Sequence, residues 1–69
     1  MSNQSEFYVA RAEFERTAAA KAELANVRDN HLRAAAAWDV LAARSLKADR
    51  MRAAEEERKA EIKAGLTTA

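Results

Sequence analysis

His31 is the only histidine in the chain. A lone imidazole can titrate near neutral pH, carry a proton or hold a metal ion. On a helix, metal binding needs a second ligand three or four residues away. The residues at that spacing are Val27, Arg28, Ala34 and Ala35, and none of them can ligate. The chain has no cysteine, which excludes a thiolate metal site and any disulfide. Its one glycine cannot make a glycine-rich phosphate loop, and no serine, histidine and carboxylate are spaced as a hydrolytic set. No catalytic, cofactor-binding or metal residue is therefore assigned. The chain is expected to be non-enzymatic and to need no cofactor, with His31 packing at the end of a hairpin.

Two other residue sets could do chemistry. Trp38 is the only tryptophan. It can stack on a nucleic-acid base, but its place in the middle of an apolar row makes it a core or interface anchor. Arg33, Arg44 and Lys47 share one side of the second predicted helix, where they could contact phosphates. Residues 28–52 hold six basic side chains against three acidic ones. Asp39 and Asp49 interrupt that run and no aromatic residue interleaves with it. The basic row is thus taken as a solvated face or as a source of inter-chain ion pairs. A net charge of +1 likewise gives no large field for nucleic acid.

The elements that position these residues are helices. Ala supplies 19 of 69 residues, and Ala, Glu, Lys, Leu and Arg together supply 44. That bias, with no proline and one glycine, marks long helices. The first helix is predicted over 4–24, capped by Asn3 with Glu6 three residues on, Ser2 or Ser5 being the alternative caps. Phe7, Phe14, Ala18, Ala22 and Ala25 share one side of it. The cluster of Asn26, Asp29 and Asn30 favours a break. An uninterrupted rod is the rival reading, and it would leave Phe7, Phe14 and Trp38 uncovered. The second helix is predicted over 27–64, with Gly65 as a left-handed cap and Leu66 folded back on Ile62. Its row Val27, His31, Ala34, Trp38, Leu41 and Ser45 keeps a three-four spacing. The expected intramolecular core is Phe7, Phe14, Val27, His31, Ala34, Trp38 and Leu41.

The second helix is nearly twice as long as the first, so 49–69 forms a charged helical extension of a single hairpin domain, 1–69. A weak seam of Met51, Ala54, Arg58 and Ile62 runs along it. The extension offers a surface for a protein partner through 49–65. A further row, Leu32, Ala36, Val40 and Ala43, lies opposite the core row. Leu, Ile, Val and Phe number only 11 of 69, and so small a core rarely holds one short chain together. The expectation is an antiparallel two-helix hairpin that dimerises through this second row into a four-helix bundle. Its role would be that of a small interaction or regulatory protein. The alternatives are a nucleic-acid-associated regulator using the basic row, or an antitoxin-like or adaptor helix that folds on its partner.

Tyr8, Arg11 and Ala12, followed by Val27-Arg28, Leu32, Ala35, Trp38 and Leu41-Ala42, carry a recognisable pattern. Over residues 8–43 the chain resembles small uncharacterised alphaproteobacterial proteins that begin Y-x-x-R-A and continue V-R-x-x-x-L-x-x-A-x-x-W-x-x-L-A. The resemblance implies a helical hairpin in a bacterial, cytosolic setting, and no activity. No stretch reaches the roughly 20 apolar residues of a membrane span. Residues 1–6 lack a basic region followed by an apolar run, so no secretory signal is expected.

Overall fold

The computed structural model describes residues 2–67, with side chains over 2–65. Two helices, α1 (Asn3–Lys21) and α2 (Ala25–Thr67), are joined by three residues and run antiparallel. There is no strand among the described residues. Ser2, rather than Asn3, caps α1: its hydroxyl accepts from the Ser5 amide at 3.1 Å. One hydroxyl there satisfies an amide that the helix itself leaves unpaired.

The break comes earlier than Asn26, Asp29 and Asn30 suggest. α1 ends at Lys21, and Ala22 turns to extended backbone (φ −73°, ψ 130°) while its amide still bonds the Ala19 carbonyl at 3.2 Å. The Arg28 guanidinium donates to the Ala22 carbonyl at 3.3 Å, and the Arg28 amide donates to the Leu24 carbonyl at 3.0 Å. Leu24 thus leads into α2, and the three Asx residues lie within its first two turns. No residue with positive φ is needed in this link. At the other end Gly65 lies inside α2 and there is no positive-φ glycine, so the expected left-handed cap is absent. The proposed fold-back of the Leu66 side chain lies outside the described side chains.

The seam between the helices is built from small residues seven apart. Ser5, Ala12 and Ala19 on α1, with Ala35 and Ala42 on α2, are buried; Asp49 extends the second series half-buried. Beside them run Tyr8, Glu15 and Ala22, and His31, Trp38 and Ser45, also seven apart. Glu15 is buried and the rest are half-buried. Seven-residue spacing keeps one row facing its neighbour along two antiparallel helices. Alanine lets the backbones come close. The Cα envelope measures 68 × 13 × 12 Å, narrow enough for only two helices side by side.

This seam corrects the expected core. Phe7 and Phe14 are 55% and 58% exposed, and Val27 and Leu41 are 37% and 36% exposed. His31, Ala34 and Trp38 are half-buried. The large apolar side chains do share one side of the hairpin, as their spacing indicates. They flank the seam instead of filling it, because the buried positions are taken by alanine, serine and Glu15 and a phenyl ring would hold the helices further apart. Weighting a row by side-chain size selected the wrong row; the alanines seven apart mark the right one.

α1 reaches along α2 only as far as Ser2, whose amide donates to Asp49 at 3.1 Å. α2 runs past that point for about 27 Å at 1.5 Å per residue. Every side chain from 50 to 65 is exposed. Glu55 and Arg58 pair along it, the guanidinium Nε donating at 3.1 Å. No helix is long and apolar enough to cross a membrane among the described residues.

Candidate functional site

Three polar clusters hold the hairpin. At the α1 start, the Ser5 hydroxyl donates to Asp49 and lies 2.6 Å from the Ser45 hydroxyl. The Ser2 hydroxyl donates to Ser5 at 3.0 Å, and Arg52 pairs with Asp49. The Ser5 hydrogen bond, followed by that from the Ser2 amide, holds the Asp49 carboxyl below its ordinary value of 3.8. Near the turn, His31 Nδ1 lies 2.7 Å from Glu15 Oε2, while Arg11 donates to Oε1 of the same carboxylate at 3.1 Å. Between these clusters Arg16 donates to both oxygens of Asp39 at 3.0 Å and pairs with Glu13. These bonds, that with Glu13 foremost, raise the Arg16 guanidinium above its usual value.

These clusters have the residue types of catalytic sites without the arrangement. Ser5 is fully buried and is held by Asp49 and Ser45, with no imidazole beside it. His31 is engaged with Glu15. Activation of a hydroxyl needs the base within hydrogen-bond reach of it. No three of His, Cys, Asp and Glu come together as a metal would require, among the described residues. No buried side-chain polar atom is left without a partner, among the same residues. The clusters act on the fold: they satisfy buried polar atoms and fix which residues lie opposite one another.

The surface carries the remaining features, and the two flanks of the seam are unlike. One flank is crossed by the Arg16–Asp39 bridge. The other is aromatic. Phe7 meets Trp38 edge-on with centroids 5.7 Å apart, and Tyr8 lies 6.0 Å from Trp38 and 5.9 Å from Phe7. The Arg11 guanidinium sits over the Phe14 ring at 4.7 Å and the Trp38 ring at 5.5 Å. Helical spacing places Ala18, Val27, Ala34 and Leu41 on this same flank. Gln4 donates to the Tyr8 hydroxyl at its edge at 2.9 Å. Arg11, neutralised by Glu15, is the one charge within the flank, and Lys21 stands at its rim.

The third surface is the outer side of α2. Leu32, Ala36, Val40 and Ala43 are all exposed. They continue through Lys47, Met51, Ala54 and Arg58 to Ile62 at a repeating three-four-four spacing. Residues eleven apart match in kind: Val40, Met51 and Ile62; Ala43 and Ala54; Lys47 and Arg58. An eleven-residue period keeps a row nearly straight along a helix. The row expected to mediate self-association and the weak seam of the extension are therefore one continuous line. A shallow, open depression lined by Asp29, Leu32, Arg33 and Ala36 lies at its start. Arg33 and Arg44 are exposed beside this line and Lys47 within it, and Arg33 donates to Asn30. They form no concave basic site.

The Ser5–Asp49 and Glu15–His31 pairs were not anticipated as contacts. The signal for them was present: Ser5, Ala12 and Ala19 are in step with Ala35, Ala42 and Asp49. No protein-family model, curated protein or solved structure matches this chain.

Proposed function

We propose that this chain is a non-enzymatic, self-associating helical module, two hairpins closing into a four-helix bundle that serves as an interaction or regulatory part. The observation that carries this reading is where the large apolar side chains lie. The seam is closed by alanine, serine and paired charges, while Phe7, Phe14, Leu32, Val40, Met51 and Ile62 are exposed. A compact chain of 7.6 kDa would expose roughly 4,300 Å², whereas this one exposes 5431 Å². With large apolar side chains among what is exposed, surface in excess of a compact chain favours association. Light scattering across a concentration series tests the proposal. A mass rising to twice the 7.6 kDa of the chain is the expected result; a constant single-chain mass at the highest concentration overturns it.

The extension supports a second reading, that of an adaptor whose free helix receives a protein partner. Residues 50–65 are exposed throughout and lie beyond the end of α1. This reading requires the extension to be dispensable for self-association. A chain ending after Arg52 that still dimerises would agree with it, and loss of the dimer on that truncation would assign the extension to self-association instead. The basic row gives little support for a nucleic-acid role, since Asp29 and Asp39 stand beside it and α2 presents it as a convex surface.

A further inference from the structure

We infer that the surface on which a second copy docks is the aromatic flank, made by Phe7, Phe14, Val27, Trp38 and Leu41, and not the outer row of α2. This rests on the self-association reading and assigns its interface. Charge separates the two candidate surfaces first. In a chain that is 33% charged, the flank holds a single charged side chain away from its rim, Arg11. That guanidinium already has Glu15 at 3.1 Å and two aromatic rings beneath it, so covering it strands no lone charge. A two-fold axis brings identical surfaces together, and a nearly neutral apolar surface complements itself. The outer row carries Lys47 and Arg58 in line, with Arg33, Arg44 and Arg50 alongside. Antiparallel copies meeting at its centre would set Lys47 against Lys47 and Arg44 against Arg50.

Size and shape point the same way. The flank spans both helices over the length of α1, about 28 Å by about 18 Å in projection. At about 500 Å² in projection it comes nearer the roughly 800 Å² per partner of a standard interface than a row on a single helix does. The outer row is one helix wide. The flank's rings are also held in place before any partner arrives: Trp38 is fixed by Phe7 and Tyr8, and Phe14 by Arg11. Ordered aromatic groups lose little side-chain freedom on docking. Hairpins laid flank on flank make a four-helix bundle whose inner layer is aromatic and whose outer layer is the alanine seam within each copy.

The test uses the full chain and its single tryptophan. As the protein is diluted through the range where light scattering reports dissociation, Trp38 emission should shift to the red, because the flank is wetted when the copies part. Phe14→Glu and Phe7→Glu should each weaken the dimer by on the order of 100-fold or more, since two carboxylates would be buried per dimer. Both positions are exposed in the single chain and glutamate suits a helix, so circular dichroism should report an unchanged hairpin. Leu32→Glu and Val40→Glu should leave the dimer within a few-fold of wild type. If the Leu32 and Val40 variants dissociate and the phenylalanine variants do not, the assignment to the flank is overturned and self-association stands. If wild type never exceeds one chain in mass and Trp38 emission is unmoved by concentration, both fall.

Discussion

Asp49 accepts hydrogen bonds from the Ser5 hydroxyl and the Ser2 amide, and those donors are lost when the chain unfolds. Its carboxyl is held below the ordinary value of 3.8 in the folded chain, chiefly by Ser5. A carboxyl depressed on folding stabilises the fold above its unfolded value, and that contribution disappears as pH falls through the folded value. Wild type should therefore exceed Asp49→Asn in thermal midpoint by a constant margin above about pH 5, narrowing toward about pH 2. A margin unchanged down to that pH would deny the carboxylate this role. Glu15 is the more deeply placed acid, with its side chain only 10% exposed between Arg11 and His31. His31→Ala removes one of its two partners and should cost about 1–3 kcal/mol, read as a lowered urea midpoint with the slope unchanged. The lack of a second ligand near His31 favours packing over metal binding, but its partner lies 16 residues away, and pairing at that separation depends on the register of the two helices.

At the scale of the helices, the seam tolerates only small side chains. Ala35→Leu adds bulk where the backbones lie closest and should destabilise the hairpin by about 1–3 kcal/mol. Val40→Leu, on the outer side, should change stability by less than about 0.5 kcal/mol; equal effects from the two in chemical denaturation would contradict the seam. Gly65 offers a separate check. It sits within α2, and a Cβ added there would meet nothing within 4 Å. Gly65→Ala should raise helicity and add about 0.5–1 kcal/mol locally, whereas a left-handed cap would have made the same change unfavourable. The all-helical hairpin and its unequal arms were legible because Ala, Glu, Lys and Arg composition and the lack of proline are local signals. The turn was misplaced by a few residues because Asn26, Asp29 and Asn30 suit the first turns of a helix as well as a break. The core row was misplaced because Phe and Trp outweigh alanine on any apolar scale, while packing of two helices alone favours whatever permits the shortest approach.

As a whole the molecule is a rod. Its radius of gyration is 19.0 Å, against about 11 Å for a compact domain of this length. Nearly all buried surface lies between residues 5 and 49, so protection should be distributed accordingly. Amide exchange should be slowest around Ala35 and Ala42, and fast from 53 to 63, where the side chains are exposed and α1 no longer runs alongside. Uniform protection along α2 would mean that the free segment is covered in solution. The eleven-residue row crosses from the paired to the unpaired part of α2 without a change of pattern, which gives that long helix a single outer surface.

The seven-residue recurrence of alanine has one more consequence. Sliding one helix past the other by a full repeat, about 10.5 Å, would bring alanine opposite alanine again. Such a slide keeps one alanine pair and sets Ser5 against Ala42 or Ala12 against Asp49, so close approach alone chooses only weakly among the stops. What distinguishes them lies toward the hairpin's two ends: a serine cluster that needs Asp49 at one, a carboxylate that needs an imidazole at the other, with a three-residue tether that limits travel. The chain thus keeps proximity and alignment in separate residues, so that a substitution at Ser5 or His31 can disturb the second while leaving the first intact.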